Sequence, residues 1–154
     1  MSSYAVTVLT PRPFTDEDKL RVANFISALA DEADPAAKTS FHICSQPFDF
    51  EFPPLDEEQA RIDVHGWSPK GALQLGTYCG SPVNHIMLGV LSSRLARMFN
   101  GWIELDGALS QATNNLSVLS YDGAAGRLRT PSGGDVISPS LMDYWLGFAD
   151  FRLV

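Results

Sequence analysis

His42, His65 and His85, with Cys44 and Cys79, are the side chains of this sequence best suited to chemistry at neutral pH. Four of them, His42, Cys44, His65 and Cys79, have the atom types of a zinc site. Their spacing matches neither C-x-x-C nor H-x3-H, so two core thiols and two ordinary histidines are the better reading. A thiol nucleophile is a separate option. Cys79 stands before Gly80 and an expected helix start, and a helix start lowers a thiol's pKa. His65 or His85 would then be the base, with Asp63 orienting it. Nothing in the spacing forces these groups together, and Cys79 as a small buried residue at a strand end is the better reading.

Other chemical signatures are weaker. Glu104 and Asp106 alternate on one face of an expected strand, as a glycosidase pair would, but an exposed strand face has the same pattern. "PSGGD" (131–135) has two glycines but no following lysine and no helix, so it reads as a turn rather than a phosphate loop. Trp67, Trp102 and Trp145 are scattered, with Trp67 in the Gly66–Gly71 loop the best placed to face a partner. No catalytic constellation stands out. The expectation is a binding module that is not an enzyme and uses no metal or cofactor.

The 154 residues carry a net charge of −7. Residues 1–60 hold 11 acids and 4 bases, whereas 61–154 hold 7 of each, so all the excess lies in the first part. Nucleic acid is a poor direct ligand for such a chain, and a cationic partner is a good one. The sharpest concentration is "FDFEFPPLDEEQ" (48–59), where Phe48, Phe50 and Phe52 alternate with acids and two prolines oppose a helix. Two readings compete. The segment is an anionic, aromatic arm for a basic partner, or its three rings cap the core with Asp49 and Glu51 turned outward.

The elements that must position these residues follow from periodicity and caps. Tyr4–Thr10 is β-branched and ends at Pro11, an opening strand. Thr15 and Asp18 frame a helix start, Val22, Phe25, Ile26 and Leu29 give its stripe, and Pro35 ends it. Ser40–Ser45 is a short strand. "ARIDVHGW" alternates and pairs with Ala72–Cys79 across the turn between them. Ser81-Pro82 starts the clearest helix, with Met87, Leu88, Leu91, Leu95 and Met98 on one face and Asn100-Gly101 as its stop. Trp102–Asp106 is a strand, residues 116–130 a hairpin turning near Asp122-Gly123, and Ser138-Pro139 starts a last short helix. The expected fold is a single α+β domain over 1–154. It has a largely antiparallel sheet, two main helices on one face, a ferredoxin-like core as one fitting topology, and a C-terminal hairpin and short helix.

No run of 18 apolar residues is present, so no membrane-spanning helix is expected. The first 14 residues lack the pattern of a signal peptide, and two cysteines do not make a disulfide framework, so a cytoplasmic protein with reduced thiols is expected.

Two segments carry a resemblance: "FNGWIELDGAL" (99–109) with the helix before it, and "SPSLMDYWLGFADFRLV" (138–154). Together they resemble a small, uncharacterised bacterial family whose members look like immunity proteins of polymorphic or contact-delivered toxins. The resemblance covers about the second half of the chain and brings no catalytic residues. It implies a protein that binds a cognate toxin domain, such as a type VI or other contact-dependent effector, and blocks it stoichiometrically. The toxin would present a basic surface, with no direct nucleic-acid or membrane contact by this chain. The expected partner-binding residues are Asp49, Glu51, Asp56, Glu57 and Glu58, with Phe50, Trp67 and the run Asp31, Glu32, Asp34 in support. A small cysteine-dependent enzyme built on Cys79 with His65 or His85 is the alternative, and a regulatory adaptor without a toxin is another.

Overall fold

A computed structural model describes residues 4–31, 39–78, 80–122 and 126–153. Seven strands form one open sheet in which every pairing is antiparallel, in the order β2-β3-β4-β1-β5-β7-β6. The strands are β1 (Tyr4–Thr10), β2 (Ser40–Ile43), β3 (Gln46–Glu51), β4 (Gly71–Thr77), β5 (Trp102–Leu105), β6 (Arg127–Arg129) and β7 (Asp135–Ile137). The helices are α1 (Asp16–Leu29), α2 (Glu57–Arg61), α3 (Pro82–Met98), α4 (Leu109–Ala112), α5 (Leu116–Leu119) and α6 (Pro139–Leu146). The molecule is thus α+β, as expected.

Local chemistry accounts for the helix boundaries. Thr15 accepts the Asp18 N–H and Asp18 accepts the Thr15 N–H, a reciprocal cap that starts α1. Pro82 follows the N-cap Ser81 in α3, and Asn100 at φ 54° ends that helix in the left-handed region. Ser138 caps α6 through the Leu141 N–H.

The alternation of β1 divides the molecule. Val6 and Val8 are buried with Leu73, Leu75, Phe48, Phe50, Ile103 and Leu105 in the main core. Val22 and Ile26 of α1, Leu88, Leu91 and Leu95 of α3, and Leu141 and Trp145 of α6 complete it. At about 1.5–3 kcal/mol per large apolar side chain removed from water, this layer dominates stability. A buried polar chain fastens α3 to the sheet: Asn84 Nδ2 donates to Thr77 Oγ1, which donates to the Pro47 carbonyl. The opposite face of the sheet has a second, smaller core at one end only. There Leu9, Ala72 and Val136 pack with Ile62 and Val64 from the segment that follows α2, and Trp67 and Trp102 pack against them.

Several sequence expectations are corrected. Helix α1 ends at Leu29, well before Pro35. Residues 62–67 form no strand: their alternating Ile62 and Val64 are buried by lying over the sheet, and Val64 and Trp67 exchange backbone hydrogen bonds in a tight turn. The strand beside β4 is instead β3, from the stretch expected to be an arm. Residues 116–119 are helical, and the C-terminal hairpin is β6–β7. Its turn contains the Pro131–Gly134 run, with Gly133 at φ 91°.

Candidate functional site

Directly paired residues in an antiparallel sheet point to the same side. The rows across the face opposite the main core can therefore be read from the register. One row is Ala72, Leu9 and Trp102, covered by the second core. The next is Glu51, Gln74, Thr7 and Glu104. The third is Ser40, Asp49, Gly76 and Ala5. Along the strands this face changes abruptly from apolar and covered to polar and uncovered.

Two clefts lie over the uncovered rows. The larger, about 540 Å³, has a floor of Ala5, Thr7 and Gln74, and Asp56, Glu58, Glu104 and Asp106 supply its carboxylates. Gln59 Nε2 donates to Glu104 Oε1 at 2.6 Å, which fixes the carboxylate from the α2 side. Glu58 accepts both the N–H and the hydroxyl of Ser132, at 3.0 and 2.8 Å, and ties α2 to the β6–β7 turn. Those two donations hold the Glu58 pKa below the usual carboxylate range. Glu104 is shifted the other way. Burial raises its pKa, nearby Asp56, Glu58 and Asp106 add to the rise, and the Gln59 donation opposes it.

The second cleft, about 420 Å³, shares Ala5 and Gln74 with the first and is bordered by Asp49, Glu51 and Tyr78. The Tyr78 hydroxyl donates to Asp49 Oδ2 at 2.6 Å, and this bond to a carboxylate raises the tyrosine pKa. Gly76 makes the arrangement possible: a Cβ there would stand 2.5 Å from Asp49 Oδ1. Six carboxylates thus border one continuous surface, and no lysine, arginine or histidine lines either cleft among the described residues.

The expected site residues divide. Asp49 and Glu51 do face outward on β3, and Asp56 and Glu58 border the larger cleft. Phe50 is corrected: it is 7% exposed and packs in the main core near Phe41 and Phe52, so it cannot anchor a partner. Phe48 is buried as well, stacked on Phe41. The stretch 48–59 is therefore not an arm but a strand, a short link and a helix, with Asp56 as N-cap of α2 through a capping box with Gln59. Glu57 is exposed beside a smaller hollow with Arg61. Trp67 is half-buried against the second core rather than displayed. Asp31 accepts the N–H groups of Cys44 and Ser45, which lowers its pKa and holds the β2–β3 turn with both residues at positive φ. Glu32, Asp34 and Cys79 lie outside the described residues.

Glu104 and Asp106 were legible as a same-face pair, but β5 lies inside the sheet between β1 and β7 rather than at an edge. Gln74 and Thr7 carried no signal in the sequence, because only the sheet register gathers them, while Gln59 reaches the site from α2 and Tyr78 from just beyond β4.

The other chemical candidates are dispersed. His42 and Cys44 are exposed at the β2–β3 turn, and His65 is exposed with its ring 5.3 Å from that of Trp102. Asp63 accepts the Gly66 N–H in its own turn. His85 is buried; its Nδ1 accepts the Leu153 N–H at 2.9 Å, its ring meets Tyr4 edge-on, and the Gly80 backbone also bonds it. Among the described residues no group of three or more His, Cys, Asp or Glu is placed to hold a metal ion. No helix among them is long and apolar enough to cross a membrane.

The chain belongs to a family of unknown function, DUF6368, whose model matches residues 4–154. No curated protein and no solved structure matches it.

Proposed function

We propose that this chain is a cytoplasmic immunity protein that binds a basic toxin domain and neutralises it stoichiometrically. The observation that carries this reading is the uncovered sheet face bordered by Asp49, Glu51, Asp56, Glu58, Glu104 and Asp106 without a lining base among the described residues. A surface of that charge accelerates encounter with a cationic partner and disfavours an anionic one. The resemblance of residues 99–109 and 138–154 to a bacterial family whose members look like immunity proteins supports the same reading. Such inhibition needs a rigid platform and no chemistry, and the sheet, clamped by the main core, supplies one.

The proposal extends to topology. The run β1-α1-β3-β4-α3-β5, with the sheet order β5-β1-β4-β3, supports a ferredoxin-like core. The presence of Val22, Ile26, Leu88, Leu91 and Leu95 in a single core cluster supports placing both main helices on one side of it. The β2 strand and the β6–β7 hairpin then extend the sheet at its two ends.

The test is co-expression with the product of the adjacent upstream gene. A stoichiometric complex, relief of that product's toxicity, and association that slows as salt screens charges beyond ~8 Å at physiological ionic strength are expected. A non-toxic neighbour that forms no complex would remove the immunity reading.

A further inference from the structure

We infer that the uncovered face receives an extended basic segment of a partner protein, laid across the strands with one cation in each cleft. This rests on the immunity reading for the identity of the partner but on the sheet geometry for the site. No element among the described residues covers Ala5, Thr7, Gln74 and Gly76, whereas the same strands are covered one row away by Ile62 and Val64. The floor between the clefts is low: Ala5 and Gly76 are adjacent in the register, and Thr7 is the next outward residue on β1. A backbone crossing over Ala5 and Thr7 meets only small side chains of β1, with Gln74 beside it on β4 and the Asp49 carboxylate over Gly76. The walls on either side are anionic, with Glu104, Asp106 and Glu58 at one end and Asp49 and Glu51 at the other.

The sheet sets the spacing. Glu104 on β5 and Glu51 on β3 lie in one cross-strand row, separated by β1 and β4. Three strand intervals of about 4.8 Å place these acids roughly 14 Å apart. An extended segment advances about 3.3 Å per residue, so two basic residues four positions apart span that distance. An even spacing also turns both side chains to the same side of the segment. An arginine fits each end well, because its planar fork donates to two carboxylate oxygens at once.

The experiment uses the isotopically labelled full chain. The probe is a Gly/Ser peptide bearing two arginines with three residues between them, and the control carries the same two arginines adjacent. Amide shifts on Ala5, Thr7, Gln74 and Gly76 are expected with the first peptide, and about fivefold weaker binding with the second, the scale of one lost exposed ion pair. Glu104→Gln and Glu51→Gln should each weaken the first peptide by a similar factor. Thr7→Lys, which puts a cation on the floor and leaves every acid in place, should abolish binding while circular dichroism stays unchanged. Shifts elsewhere, equal affinity for the two peptides, or spermine matching the spaced peptide in both map and affinity would overturn the inference. A toxin complex that forms unaltered with the Thr7→Lys variant would remove this face and leave the immunity reading standing. A mapped peptide site with no toxic neighbour would do the reverse.

Discussion

The Nδ1 atom of His85 accepts the backbone N–H of Leu153 at 2.9 Å, joining the first turn of α3 to the C-terminal tail. The bond requires Nδ1 to be unprotonated. Burial lowers the imidazole pKa, and positive Arg152 lowers it further against the opposing Gly80 bond. The unfolded chain therefore takes up this proton more readily than the folded one. The stabilisation is complete above the unfolded histidine value of about 6.5 and is lost as pH falls through the folded value. Trp145 packs on Phe151 at 4.6 Å between ring centres, so its fluorescence reports the tail. His85→Ala should cost about 2–3 kcal/mol in urea unfolding and flatten the pH dependence of the Trp145 signal below neutrality. A variant that keeps the wild-type pH profile would show that another group controls the tail.

Glu104 has the opposite sign. Burial first, and Asp56, Glu58 and Asp106 after it, raise its pKa against the Gln59 donation. The folded state holds this proton more tightly than the unfolded state, so stability falls as pH rises from the unfolded to the folded value. Glu104→Gln keeps an oxygen for Gln59 and removes the charge. It should raise the unfolding free energy measured in urea at neutral pH by about 0.5 kcal/mol, with the gain disappearing near pH 4. A loss of stability at neutral pH would mean that the carboxylate is better solvated than its burial implies.

Gly76→Ala tests the second cleft. The added Cβ would displace the Asp49 carboxylate, whose Oδ1 would stand 2.5 Å from it, and break the bond from Tyr78. A short side chain is displaced rather than backbone, so thermal stability should change little. The Tyr78 hydroxyl should titrate closer to its ordinary value, because the Asp49 bond is the main cause of its rise. Ultraviolet or NMR titration that finds no change would show that Asp49 re-forms the bond around the new methyl group.

Phe48→Ala and Phe50→Ala should each destabilise the fold by about 3–5 kcal/mol, since both rings lie in the main core. Glu57→Lys, at an exposed position of α2, should leave the unfolding free energy within about 0.5 kcal/mol of wild type. Equal tolerance of all three would contradict the packing of β3.

How much of this could be read in advance depended on the range of the interaction. Caps are local, so Thr15 with Asp18, Ser81 with Pro82 and Ser138 with Pro139 announced their helices from adjacent residues alone. The alternation of Ile62 and Val64 was real, but burial under a loop and burial in a strand demand the same pattern, and the sequence cannot separate them. The rings at 48, 50 and 52 were ambiguous for a related reason: acids between aromatics suit an outward arm and an amphipathic strand equally well. Asp49, Glu51, Asp56 and Glu58 were found because they are close in sequence. Glu104 and Asp106 join them only through the pairing of β5 with β1.

The position of β1 in the sheet also governs how the chain can be made. Val6 pairs with Leu75 on one side and Leu105 on the other, so β1 is central and both of its neighbours come much later along the chain. Until Leu105 has left the ribosome, the apolar stretch from Ala5 to Leu9 has no completed sheet to enter. Contacts so distant along the chain are slow to form and leave an unpaired strand open to association in the meantime. A nascent chain stalled before β5 should be bound by chaperones through residues 5–9 of β1, and release should follow once β5 emerges.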